Sequence, residues 1–380
     1  LIEILFGFHL ICIMFDENVM DAVGITADEV KTEEDFYKAC QKVAQSDVTI
    51  NGQKIIPVIL HGDEWIEKSL DTVIANNFGA QPVDENSHYR HLELSPGYKE
   101  ALKFVNNLVQ KGCLDVNTMT IDDTALKTYL KAGVVFCWIG NQQLLDKTGT
   151  RWASFGPVLA SSGAQPAEPI NQSAGLGWIW TAVSKNCKEP EKVAKWLSWI
   201  TSREGLLMNY YGIEGRDYTI DEGGFVTRTE EGERTWQEDY KKNQQLWPFT
   251  NLAFNFNTEP VPEPDSDFGL AERIATAIGR YENTYIYDSA LLDFTSANVV
   301  EPSSDLGIAK SQIDSYLESQ KAKIISAPDD ATFEAEYQNM LKTLDSYHVA
   351  DIDAEYDKVL QKRYQETGKT IKNHNAELYK

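Results

Sequence analysis

Two carboxylate pairs, Asp63 with Glu64 and Glu214 with Asp217, stand beside tryptophans and tyrosines and are the side chains best placed to do chemistry. Paired carboxylates can act as the acid and base of a glycosidase, which needs them roughly 5 to 10 Å apart across a sugar. They can equally accept hydrogen bonds from sugar hydroxyls, or, for adjacent Asp63 and Glu64, begin a solvated helix. A sugar also has apolar C–H faces, on which tryptophan and tyrosine rings stack. Trp65, Trp138, Trp178 and Trp180 supply such rings, with Tyr211 near Glu214. Asp63, Asn141 and Glu214 supply polar groups from separate segments, as a cleft requires. For Trp138 a purely core role is the competing reading.

Other chemistries find little footing. The chain has no GxSxG, P-loop, HExxH or post-strand GxGxxG motif, and its six histidines lack ligand spacing. Five cysteines, at 12, 40, 113, 137 and 187, exclude a close-spaced zinc cluster or CxxC pair, and Cys40 and Cys137 lie in apolar patterns as expected buried thiols. The stretch SDVTINGQK offers only Asp47 and Asn51, too few oxygens for calcium. No metal and no cofactor is expected. A formal charge of -23, from 58 acidic against 35 basic residues, argues against nucleic acid or an anionic membrane as partner. With 380 residues, 42% of them hydrophobic, the chain is long enough for two or three domains.

The elements that must carry these residues are legible in order. LIEILFGFHLICIMF is apolar but carries Glu3 and His9, lacks a basic leading region and is too short for a bilayer span, so it reads as a buried strand. LIC, ending at Cys12, is only faintly similar to a lipoprotein cleavage box. Thr32 caps a helix whose face is Phe36, Cys40 and Val43. Ile55 to Leu60 is a buried strand running into His61, Gly62, Asp63, Glu64 and Trp65, followed by an apolar helix from Ile66 to Ile74. Ser95 and Pro96 open a helix with Tyr98, Leu102, Val105 and Val109 inward, closed by Gly112. Asp122 to Lys131 is a helix, and VVFCWIGNQ a strand. Leu176 to Val183 reads as a strand, Pro190 starts a helix with Val193, Trp196, Leu197 and Ile200 on one face, and another begins after Ser202. Residues 221 to 265 read as a surface excursion, with Trp247 and Phe249 as the alternative cover for a ligand. Helices are predicted over Leu306 to Ile325, Ala331 to Tyr347 and Ile352 to Tyr364, and the polar last residues are expected to fray.

The stretch from Gly175 to Tyr218 carries a resemblance. A strand of the type GWIWTAVSKN, the helix opener KEPEKVAKWLSWI, a segment around SREG and the closing YGIEGRDY resemble the extracellular solute-binding proteins of bacterial ABC importers, in the large lipoprotein subgroup associated with oligosaccharides. YGIEGRDY is the most specific piece, and the likeness extends from about Phe15 to Tyr218.

That resemblance implies an α/β fold of the two-lobe, type II periplasmic-binding-protein kind with a helical C-terminal part. Residues 1–14 would form a hinge strand, 15–172 the first part of lobe two, 173–220 a returning segment of lobe one, and 221–380 the second part of lobe two. It also implies a chain lacking the signal peptide and the first segment of lobe one. The implied function is to bind an extracellular solute, an oligosaccharide foremost, in an interlobe cleft and deliver it to importer permease subunits. The implied protein is a monomer held at the cell surface by a lipid anchor absent from this chain. The ligand set would be Asp63, Trp65, Trp138, Asn141, Trp178, Trp180, Tyr211 and Glu214. The same scaffold reused as a surface adhesin or sensor, or a carbohydrate-active enzyme, are the alternatives.

Overall fold

Strand β1, Ile11–Asp16, ends in a carboxylate that starts the next element. Asp16 accepts hydrogen bonds from the backbone N–H of Asn18 (2.9 Å) and Val19 (3.3 Å) and so caps helix α1, Glu17–Val23. The computed structural model describes residues 11–141, 145, 150–170, 181–238, 283–294, 297 and 299–379. Helix α2, Glu33–Gln45, is capped by Thr32 and buries Phe36, Cys40 and Val43, the face its spacing predicts. Strands β2 (Thr49–Ile50) and β3 (Gln53–Lys54) form a hairpin closed by Asn51 and Gly52, both at positive φ (52° and 77°). An Asn-Gly pair is the usual signature of such a turn, a signal the sequence reading passed over.

Strand β4, Ile56–Leu60, leads through a short turn into a π-helix, Ile66–Ile74, where the sequence predicts an ordinary helix. Helix α3, Pro96–Gln110, buries Tyr98, Leu102 and Val105; helix α4, Asp123–Lys131, is capped by Asp122, which accepts from the Ala125 N–H at 2.8 Å. Strands β5 (Val135–Asn141), β6 (Trp152–Ala153) and β7 (Ala167–Ile170) follow. One sheet has the order β4-β5-β1-β6, with β5 parallel to β4 and antiparallel to β1. Because side chains alternate across a strand, register decides which residues share a face. Phe15 pairs with Cys137 and Met14 with Trp138. Phe15, Val58, Leu60 and Cys137 therefore enter the large core with Phe36 and Phe104, whereas Met14, Ile59 and Trp138 pack with Trp152, Leu126 and Leu130. Both faces are covered, as the unbroken apolar run of β5 requires.

Helix α5, Pro190–Ile200, and helix α6, Arg203–Tyr211, are joined by Ser202, whose hydroxyl accepts from the Gly205 N–H at 3.2 Å. Strands β8 (Tyr218–Ile220) and β9 (Val226–Arg228) pair antiparallel, and helix α7, Glu230–Glu238, follows. Tyr218, Ile220 and Val226 pack on Leu206, Leu207, Tyr210 and Tyr211. Val226 thus joins the β8–β9 hairpin to the apolar face of α6. Of the strand expected over Leu176 to Val183, residues 176–180 lie outside the described residues and Thr181 to Val183 are not in a strand. Trp247 and Phe249 also lie outside them.

Strand β10, Tyr285–Asp288, pairs parallel with β7. Helices α8 (Asp305–Ile325), α9 (Asp330–Ser346) and α10 (Val349–Thr367) fall where the 3.6-residue apolar spacing predicts them. The tail does not fray as expected. Ile371 is buried, Gln81 donates to the Lys372 carbonyl at 2.9 Å, and the Asn375 side chain accepts from the Gln165 N–H at 2.8 Å while donating to the Gln165 carbonyl at 2.9 Å. Contacts divide the chain into two compact units, Phe8–Gln172 with Asp265–Lys380, and Leu1–Gly7 with Ser173–Pro264. No described helix is long and apolar enough to cross a membrane.

Candidate functional site

Parallel strands gather ligand chemistry outside their carboxyl ends; β4 ends at Leu60, opposite Ile139, and β5 runs on to Asn141. His61 follows β4 directly, and the chain turns at Gly62 with φ +51°. A Cβ at Gly62 would stand 2.2 Å from the Ile121 carbonyl oxygen, and the Asp63 N–H donates to that same oxygen at 2.9 Å. Only glycine permits this approach, which sets the start of α4 beside the 61–64 turn. Gly62→Ala is expected to cost about 2–4 kcal/mol through positive-φ strain and backbone overlap. Urea unfolding checks this, and a loss within experimental error would show that the turn relaxes freely.

His61 is held from several sides. Its backbone N–H donates to Ser69 Oγ at 3.0 Å, and that hydroxyl donates to the Ile139 carbonyl at 2.7 Å. The imidazole, 1% exposed, lies 5.2 Å centroid to centroid from the Trp138 ring. A Cβ on Gly140 would come within 2.8 Å of His61 Nδ1 and 2.6 Å of the Trp138 ring, so the missing side chain makes room for both. Nε2, itself buried, lies 3.4 Å from Asp123 Oδ1 and 3.6 Å from Glu64 Oε2. Burial, then the Lys68 charge, push the imidazole pKa below its ordinary value, against the pull of Asp123 and Glu64. The ring is accordingly neutral at neutral pH. Lys68 is ion-paired to Glu64.

The sequence-predicted residues fall in different places. Asp63 is exposed in the same turn as His61 and Glu64. Trp65 (6% exposed) belongs to the large core and Trp138 (0%) to the smaller one, so neither ring offers a stacking face in this structure. Covering both faces of β5 leaves Trp138 no route to solvent. Asn141 closes β5, opposite Ile11 in register. Trp178 and Trp180 lie outside the described residues.

In the other unit, Tyr211 is buried against Tyr210 and Tyr218, with the Arg228 guanidinium 4.9 Å from its ring centre. Glu214 is exposed in the loop closing α6. Asp217 is committed to that loop: it accepts from the Ile213 N–H at 2.8 Å and from Arg216 Nε and Nη2 at 2.8 and 2.7 Å. Those Arg216 hydrogen bonds hold its carboxyl below the usual carboxylate range. Asp217 therefore staples the loop that presents Glu214.

His61 and Asp123 are the members of this cluster to which sequence reasoning gave no role. The H-x-x-E spacing of His61 and Glu64 was a local signal, but Asp123 reaches them only through the fold.

No protein-family model and no curated protein matches the sequence. Solved structures do. An extracellular solute-binding protein from Bifidobacterium longum subsp. infantis superposes with a TM-score of 0.64 at 14% identity, over 94% of this chain and 74% of that one. The Streptococcus pneumoniae ABC-transporter substrate binding protein FusA, in complex with kestose, gives 0.64 at 14% identity, over 96% and 74%. The N-glycan transport solute binding protein NgtS of S. pneumoniae gives 0.56 at 15%, over 92% and 73%. The chain therefore has the type II periplasmic-binding-protein-like fold of the extracellular solute-binding proteins.

Proposed function

We propose that this protein binds an extracellular oligosaccharide and delivers it to the permease of an ABC importer, as a monomer at the cell surface. The likeness to the kestose-bound structure, at a TM-score of 0.64 over 96% of this chain, carries the reading. The neighbours of the fold are binding proteins rather than enzymes. The polar edge at the ends of β4 and β5 supports it, since exposed Asp63 and half-buried Asp123 offer carboxylate oxygens to sugar hydroxyls. Glu214, presented by its stapled loop, is an exposed carboxylate of its own unit.

Isothermal titration against a panel of neutral and acidic oligosaccharides is the test. A micromolar Kd for one class, about 8 kcal/mol, is the expected result. Asp63→Ala should weaken it about tenfold, the loss of a charge-assisted hydrogen bond, with Tm unchanged. No heat with any member of the panel would overturn the proposal, and release of reducing ends would move the reading to a glycosidase.

A further inference from the structure

We propose that His61, Glu64 and Asp123 form a binding site for a divalent cation of the zinc type. The site goes beyond the sugar-binding reading and does not rest on it. One ligand atom from each residue lies within 4.8 Å of the others. Zinc takes imidazole nitrogen and carboxylate oxygen at about 2.0–2.2 Å, and a tetrahedral arrangement puts two such donors roughly 3.4 Å apart. The observed separations from His61 Nε2 are 3.4 Å to Asp123 and 3.6 Å to Glu64, so the imidazole already sits at donor spacing from each carboxylate, and the two carboxylates, within 4.8 Å of each other, draw together on the ion.

The donor set selects the class of ion. One imidazole and two carboxylates suit zinc, cobalt or nickel, whereas calcium takes six to eight oxygens and magnesium an oxygen octahedron. His61 is fixed by burial, by the Trp138 ring and by the gap left at Gly140, so the nitrogen is oriented before the ion arrives. Glu64 and Asp123 are 43% and 46% exposed, which opens the remaining coordination positions to water. Two lysines oppose the ion: Lys68, paired with Glu64, and Lys127, 3.9 Å from Asp123. Binding displaces Lys68 from Glu64.

The test titrates zinc ion into the chelator-treated, metal-free full chain, without sugar, by calorimetry and thermal shift. One high-affinity equivalent is expected. Glu64→Gln and Asp123→Asn, isosteric changes at an exposed and a half-buried position, should each weaken it about tenfold or more, while the neighbouring Glu67→Gln should not. Lys68→Gln should tighten binding by about fivefold, since the cation that competes for Glu64 is removed. Equal affinity in the wild type, Glu64→Gln and Asp123→Asn proteins would overturn the proposal by placing the ion elsewhere, and so would no uptake. Sugar titration is read separately, so failure of one proposal leaves the other intact.

Discussion

Lys321→Ala is expected to lower the stability of the protein by about 3–5 kcal/mol, the cost of leaving a buried ion pair without one partner. The ammonium of Lys321, 3% exposed on α8, stands 2.9 Å from Glu93 and 3.1 Å from Asp71, and Tyr98 donates its hydroxyl to Asp71 at 2.5 Å. Burial raises the Asp71 pKa against the pull of Lys321. At Glu93 burial acts the same way, but Lys321 outweighs it and the pKa falls below the ordinary value. One cation thus satisfies two carboxylates, and removing it leaves both desolvated. Urea unfolding should show the loss, and Tm should fall on the order of 10 °C. Lys321→Met combined with Asp71→Asn and Glu93→Gln should restore much of it, because neutral groups of similar volume are inexpensive to bury. A single-variant loss below about 1 kcal/mol would show that water reaches the cluster and screens it.

The second large effect is a dependence on pH. Burial raises the Asp16 carboxyl to about 6, although the Thr150 hydroxyl and the N–H groups of Val19 and Asn18 pull it down. The unfolded chain ionises this group near 3.8. Its stabilising contribution is therefore complete below that value and is lost as pH rises toward 6, amounting to about 3 kcal/mol. Asp16→Asn removes the titration and keeps an oxygen for the cap of α1. The variant's stability relative to wild type should rise by that amount between pH 4 and pH 7, measured by denaturant unfolding at each pH. Parallel pH profiles for the two proteins would sink the argument.

Much of the local structure is readable from residue types. Thr32, Asp122 and Ser202 stand at helix starts because their side chains accept from orphan N–H groups, and that chemistry is written in the sequence. The site is less legible. Trp138 lies in a run that reads the same whether one face is open or both are covered, and only the packing of α4 distinguishes the two. Asp123 meets His61 because Gly62 lies flat against Ile121, a contact no local spacing encodes. Lys321 looks like any helix-surface lysine until Asp71 and Glu93 surround it. The tail looks unstructured for the same reason: its partners are polar groups supplied from far away.

That tail has a consequence for how the molecule comes into being. Asn375 donates to the Gly79 carbonyl at 3.3 Å, a bond spanning 296 residues of chain, and to the Gln165 carbonyl 210 residues back. Closing such loops is slow, because their entropy is lost before the contact repays it. The unit containing β4 and His61 is stitched shut by residues that leave the ribosome after all of its described strands. During synthesis the edge at Gly79 and Gln165 cannot be sealed before Asn375 emerges.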